Sequence, residues 1–317
     1  MNLTEYRHIQ NIVRPHISQT PVLSSTILNE TYGAKLLFKC ENFQKTGSFK
    51  FRGALYAAQA KLSKHNVDLL TGHSSGNFAQ ALAKTAQFLK KQAVLVMPEN
   101  APSTKVEAVQ RYGGEIIFSG NSPSDRENKM AEYLKINPEA VFIHPSNDLD
   151  MIHGNATCAG EFLEMHPEIE NLIVPVGGGG LLAGTALARH SLSPETAVYG
   201  AEPAGADDAQ KSFQSQSIVP SIAPDTIADG LRTQLGDQNF PIILEYVEDI
   251  LTVTDEEIIE AMKDIYRFLK IVIEPSSAVP LALVRKQPRI FKDKINGIIL
   301  TGGNIDFRTL AHLITNN

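Results

Sequence analysis

The stretch "VPVGGGGLLAGTALARH", residues 174–190, carries a β-rich apolar run (Leu172 to Val176) through four consecutive glycines into a helical pattern that starts at Leu181. Strand, glycines and helix follow one another in the order that a parallel α/β sheet uses to bind an anion. Glycines let the backbone come close to a ligand, and the helix start adds partial positive charge. Gly177, Gly178, Gly179 and Gly180, with Leu181, therefore read as a phosphate cradle, the plainer alternative being a flexible turn. The stretch has neither the Lys-Ser/Thr ending of a Walker A loop nor the G-x-G-x-x-G spacing of a dinucleotide site. A small phosphorylated ligand suits it best.

Away from this stretch the same alternation continues. "AKLLFKC" (34–40), "AVLVMP" (93–98), "EIIFSG" (115–120), "AVFIHP" (140–145), "AVYGAEP" (197–203) and "NGIILTGG" (296–303) read as strands, with helical patterns between them. Phe78, Leu82, Ala86 and Leu89 recur at helical spacing, and Thr254 with Glu257 forms a capping box ahead of the stripe Ile258, Met262, Ile265 and Leu269. Strand-helix alternation predicts an α/β fold built on parallel sheets, and 317 residues at about 150 per domain suggest two units. No repeat, low-complexity tract or Gly/Ser linker marks a boundary.

The composition, 43% hydrophobic and 20% charged with a net charge of −6, is that of a globular protein. Without a clustered basic run, a nucleic-acid partner is not expected. The charged start MNLTEYRHIQNIV lacks the apolar core of a secretory signal, and no run of 18 apolar residues would span a membrane, so a cytoplasmic location is expected. Cys40 and Cys158, far apart in sequence, predict neither a disulfide framework nor a cysteine-rich zinc site.

"GSFKFRGA" (47–54) brackets Lys50 with Phe49 and Phe51, flanks it with Gly47 and Gly53, and follows it with Arg52. A lysine that is to form an imine must be partly desolvated and available as a neutral amine, which apolar neighbours favour. The aromatic and glycine neighbours would leave room for a flat ring, and with a phosphate cradle elsewhere in the chain, pyridoxal phosphate is the natural cofactor. In "HSSGNFAQALA" (73–83), Ser74, Ser75 and Asn77 at a helix start suit a substrate carboxylate or an ordinary N-cap. Thr301 ends the strand of "ILTGGNID" (299–306), where open parallel sheets bind ligands, and reads either as a turn residue or as a hydroxyl for a ring nitrogen.

Taken in order, "TGSFKFRGA", "SSGNFAQALA", "MPENAPSTKVEAVQRYGGEI", "VPVGGGGLLAG", "AEPAGADD", "TIADGLRT", "EPSSAV" and "LTGGNID" resemble the pyridoxal-phosphate-dependent fold-type II family, in its serine/threonine dehydratase and serine racemase branch. The resemblance spans nearly the whole chain. It implies a tryptophan synthase β-like enzyme of two open parallel-sheet α/β domains, with 1–68 and 147–317 as the large cofactor-binding domain and 69–146 as a small mobile one. It implies further that Lys50 holds the cofactor and serves as base on one face, that Phe49 packs near the ring, and that Asn77 bonds the 3-hydroxyl. The backbone of Gly177 through Leu181 would hold the phosphate, and Thr301 the ring nitrogen, with Glu274 nearby. A neutral hydroxyl at that nitrogen favours elimination and racemisation over transamination.

The resemblance also assigns Ser74, Ser75 and Asn77 to the substrate carboxylate, makes Ser75 the proton donor on the opposite face in members that racemise, and aims Arg126 at a substrate carboxylate. Glu202, Asp208 and the carbonyl of Ala206 are oxygen ligands suited to Mg²⁺, Mn²⁺ or Ca²⁺, and this branch places a divalent ion at the matching positions. Two positions depart from the family pattern: Phe78 stands where it usually has histidine, removing a polar group from the pocket, and "GNATCAGE" (154–161) replaces a G-Q-G-T, with a packing effect expected. The expected reaction is deamination of L-threonine or L-serine, the alternatives being serine racemase with dehydratase side activity or threo-3-hydroxyaspartate dehydratase. A homodimer acting on an amino acid, with no C-terminal regulatory domain, completes the expectation.

Overall fold

The computed structural model describes residues 1–64, 67–74 and 76–315. Among the described residues, ten strands form two sheets. Strands β1 (Val22–Leu23), β2 (Lys35–Cys40), β7 (Asn171–Pro175), β8 (Ala197–Pro203), β9 (Asp249–Val253) and β10 (Ile295–Leu300) make a six-stranded sheet in the order β1-β2-β10-β7-β8-β9. Strands β3 (Leu69–His73), β4 (Gln92–Pro98), β5 (Glu115–Ser119) and β6 (Val141–Phe142) make a four-stranded one in the order β5-β4-β3-β6. Every pairing is parallel except that of β1 with β2. β2, β7 and β10 are almost wholly buried, as strands covered by helices on both faces must be.

The predicted strands are present, with β6 cut to two residues where Ile143-His144-Pro145 leaves the sheet; β1, β3 and β9 have no counterpart among the strands expected from sequence. The predicted capping box is also present, Thr254 accepting the Glu257 N–H and Glu257 accepting the Thr254 N–H. Two of the three apolar cores belong to the large sheet. The third lies on the small sheet and also takes in Phe51, Ala54, Leu55, Ala57 and Ala58 from the helix Lys50–Leu62.

That helix corrects part of the local reading. Phe51 turns into the third core rather than toward a ligand, and Gly53 packs against the helix Leu149–Met165. A Cβ on Gly154 would stand 2.7 Å from the Cα of Gly53, so the two helices cross at a pair of glycines with no room for a side chain. Gly154 is the position that the "GNAT" departure leaves unchanged; the two residues that differ, Asn155 and Ala156, are both fully buried beside it. Arg52 is buried beneath the Lys50 segment. Its Nε and Nη2 donate to both oxygens of Glu41, each at 2.8 Å, and Nη1 donates to Glu161 at 2.9 Å. Lys39 donates to Glu161 and to the carbonyl of Thr20, both at 2.8 Å, and the Thr20 hydroxyl donates to Glu41 at 2.6 Å.

Candidate active site

The C-terminal ends of strands from both sheets open into one cavity of about 650 Å³, within the range of pockets that enclose small ligands. Its lining includes Phe49, Lys50, Ser74, Asn77, Arg126 and the glycines 177–180, with Leu181, Glu274 and Thr301. Residues from widely separated segments thus share one wall. Ser75 lies outside the described residues.

Lys50 opens its helix, and the segment before it is stitched to the large sheet. Phe49 N–H donates to the carbonyl of Thr301 at 3.0 Å, and Ser48 bridges Gly302. The Lys50 ammonium donates to the carbonyl of Pro145 at 2.8 Å and lies 5.0 Å from the centre of the Phe49 ring. Burial pushes its pKa down from 10.5 to about 8, against the opposing charge of Glu274. A pKa near 8 leaves about a tenth of the amine neutral at pH 7, far more than a solvated lysine offers, and the neutral form is what a nucleophilic lysine requires.

The glycine run supplies the cradle. The helix Gly180–Leu192 begins inside it, and Gly179 has φ +77°, a conformation that side chains rarely adopt. A Cβ on Gly178 would come within 2.4 Å of the Ser146 hydroxyl. Asn239 fixes the loop from behind by donating to the carbonyls of Gly178 (2.9 Å) and Ser146 (3.2 Å). The first N–H groups of a helix have no partner within it, so they converge here on an anion-sized space.

Asn77 starts the helix Asn77–Leu89 but does not cap it; the N-cap is Gly76, without a side-chain bond. The Asn77 amide instead donates to Glu274 at 2.8 Å and accepts from Asn304 at 2.9 Å. Its orientation is therefore fixed from two sides. Glu274 is buried, and its carboxyl is pushed up to about 7 by burial, with Lys105 pulling the other way and Asp229 adding to the rise. Thr301 Oγ1 lies 3.0 Å from Ser277 Oγ, which also donates to the Gly302 carbonyl at 2.7 Å. Phe78 is buried and packs toward Gly72 on the cavity wall.

Sequence reasoning left several cavity residues without a role. Lys105 and Asp229 pair at 2.5 Å across the cavity, one from the helix Ser103–Arg111 and the other from the short turn Asp229–Leu231. Both sat inside motifs of the family resemblance, as did Asn304 and Ser277, which bond Asn77 and Thr301 from outside the lining. His73 ends β3 and His144 lies two residues beyond β6, and position at or just past a strand end was the signal available for them. Their rings meet edge to face at 5.3 Å, and His73 stacks on Phe142 at 5.8 Å. Burial pushes both imidazoles down, His73 to about 3 with help from His144 and Arg126, and His144 to about 4 with help from Lys50.

Glu202, Ala206 and Asp208 are all buried and are not among the residues lining the cavity, and the Asp208 carboxyl lies close enough to act on that of Glu202. Neither Asp207 nor Asp208 caps the helix Asp208–Ser215. Glu202 does so, accepting the N–H groups of Ala209 and Gln210 at 2.8 Å each. Burial raises Glu202 to about 8 and Asp208 to about 6. Two buried carboxylates that act on one another, with the Ala206 carbonyl two residues before Asp208 in the chain, are hard-oxygen donors of the kind that fits a divalent cation. Among the described residues no cluster holds three or more His, Cys, Asp or Glu side chains placed for a metal, so water would complete the shell.

The residues present fit pyridoxal phosphate: an anion cradle without side chains, a buried amine of lowered pKa, an aromatic flank and a hydroxyl at the strand end. The sequence profile of the family "Pyridoxal-phosphate dependent enzyme" matches residues 13–302. The beta-hydroxyaspartate dehydratase of Paracoccus denitrificans is 43% identical over 298 residues, covering 94% of each chain. The serine racemase of Arabidopsis thaliana is 43% identical over 303 residues, covering 94% of this chain and 91% of its own. Among solved structures, the threonine deaminase of T.th. superposes with a TM-score of 0.90 at 39% identity, covering 97% of this chain and 99% of its own. With the fold, the cavity and these relatives in agreement, the chain belongs to the fold-type II family of pyridoxal-phosphate-dependent enzymes, among its ammonia-lyases and amino-acid racemases.

Proposed function

We propose that the chain deaminates a β-hydroxy amino acid by eliminating water, and that its preferred substrate is the dicarboxylic 3-hydroxyaspartate rather than L-threonine or L-serine. The buried Lys50 amine, sharing a cavity with a neutral Thr301 hydroxyl, carries the reaction type. Arg126 carries the substrate class. It lines the cavity with its Nε buried and unbonded, and the acids acting on it are its chain neighbours Glu127 and Asp125. The Paracoccus relative, a beta-hydroxyaspartate dehydratase, supports the same choice.

Bound pyridoxal phosphate would supply an electron-withdrawing ring that makes the substrate's α-proton acidic. The N–H groups around Gly177 to Leu181 would hold its phosphate, Asn77 its 3-hydroxyl, Thr301 its ring nitrogen, and Phe49 would pack beside it. Lys50 takes the α-proton, Ser74, Ser75 and Asn77 grip the α-carboxylate, and Arg126 grips the distal one. Closure of segment 69–146 over 1–68 and 147–317 would exclude water. Serine racemisation is the second reading, supported by the Ser75 hydroxyl in the sequence and by the Arabidopsis relative. We place the enzyme in the cytoplasm as a homodimer, a setting in which buried, unpaired Cys40 and Cys158 stay reduced. No described helix is long and apolar enough to cross a membrane.

Keto-acid formation and product chirality, measured on L-threo-3-hydroxyaspartate, L-serine and L-threonine, test the reading. Turnover of the dicarboxylic substrate should exceed that of threonine by about 100-fold or more in kcat/KM, because threonine leaves the buried, charged Arg126 donor unpaired. Threonine as the better substrate would overturn it. Ser75→Ala should abolish racemisation and spare elimination. Glu202, Asp208 and the Ala206 carbonyl are proposed to bind Mg²⁺, Mn²⁺ or Ca²⁺. A chelator should then lower both activity and melting temperature, with Mg²⁺ restoring them; no change in either would remove the ion.

A further inference from the structure

His144 Nδ1 accepts two backbone N–H groups, those of Ser146 at 3.2 Å and Asn147 at 2.8 Å. A ring nitrogen that accepts carries no proton, so the proton of this imidazole sits on Nε2. His144 lines the cavity, its Nδ1 edge is spent on the backbone, and Nε2–H is the edge left to offer. His73, touching it edge to face, lines the same wall, and Arg126 acts on His73 from the helix Pro123–Ile136. None of these three side chains has an ion pair or hydrogen bond to an acid among the described residues. Three nitrogen-bearing side chains on one wall, none bonded to an acid, form a subsite for an anionic group.

Resting on the dicarboxylic reading, we propose that His73 and His144 are specificity-determining residues that join Arg126 in holding the carboxylate on the substrate's β-carbon. The guanidinium supplies charge, and the two imidazoles supply direction. When serine or threonine binds, the buried Arg126 Nε stays unpaired and the imidazoles gain no anion, and that deficit is what rejects them.

The test uses the enzyme loaded with pyridoxal phosphate and two unreactive probes of equal length, succinate and butyrate, with binding followed by calorimetry. The wild type should bind succinate more tightly, and Arg126→Leu should erase the difference. His144→Asn keeps an acceptor for the Ser146 and Asn147 N–H groups but has nothing at the Nε2 position. It should weaken succinate by about 10-fold or more, as expected for loss of a hydrogen bond to a charged group, while butyrate changes little. His144→Gln, which places an amide near Nε2, should recover part of that loss. His73→Phe, which keeps the stack on Phe142, gives a second route should the 144–147 loop suffer, and the same selective loss is expected. A succinate-to-butyrate ratio that survives both His144→Asn and His73→Phe yet falls with Arg126→Leu overturns the role of the histidines and leaves the dicarboxylic reading standing. Equal binding of the two probes by the wild type overturns that reading, and the subsite with it.

Discussion

Replacing Lys50 by alanine should lower kcat/KM by about 10⁴-fold or more, the upper end for a positioned proton-transfer group, because the same amine both attaches the cofactor and takes the α-proton. Borohydride treatment followed by peptide mapping should find the pyridoxyl label on Lys50 in the wild type and on no peptide of the variant. The amine's lowered pKa adds a pH signature. Only the neutral form attacks, so the rate at which the unloaded chain takes up cofactor should climb with pH and level off near 8, where burial has brought the group, rather than near the 10.5 of a solvated lysine. A climb that continues past about 10 would mean the amine is solvated. A label on another side chain would end the argument for Lys50 altogether.

The second large effect is on stability. Arg52→Met removes three charge-assisted bonds and leaves Glu41, fully buried, with only the Thr20 hydroxyl as a bonded partner. Breaking a buried pair from one side costs about 3–5 kcal/mol, which urea unfolding would register as a lower midpoint. Burial alone would raise the Glu41 carboxyl; the guanidinium overrides it and holds the group below its usual 4.5. The wild-type contribution is therefore present above about pH 4.5 and lost as pH falls. In the variant the uncompensated carboxylate is penalised most at neutral pH, so the deficit should shrink on acidification. Adding Glu41→Leu to Arg52→Met should recover much of the loss, since an apolar pair carries no stranded charge. A deficit indifferent to pH, or no deficit, would show that the network contributes nothing.

The features legible beforehand were those whose chemistry is local. Four glycines between a strand and a helix, an amine between aromatics, and a threonine at a strand end each signify something within a few residues, and the structure brings all three to one cavity. Phe51 and Gly53 misled because they sit beside Lys50 in sequence while helical geometry turns them to other neighbours. Strand β9, at the sheet edge and only partly buried, carries Asp249 and Thr252 and lacked the apolar run that revealed the inner strands. His144, Lys105 and Asp229 were illegible for another reason. An isolated histidine or ion pair has no meaning until the chain places it against a cavity, and the backbone bonds that fix the His144 proton arise only from the turn at 144–147.

The stitching of residues 47–49 to residues 301–303 directly after β10, together with the packing of the next helix on the small sheet's core, gives Lys50 an unusual mechanical station. Any force that parts the two sheets reaches this residue within one or two bonds of its anchor, with no slack to absorb it. Insertions or deletions between 45 and 52 would therefore be far less tolerated than on the outer loops, and a chain split for fragment complementation should be cut elsewhere.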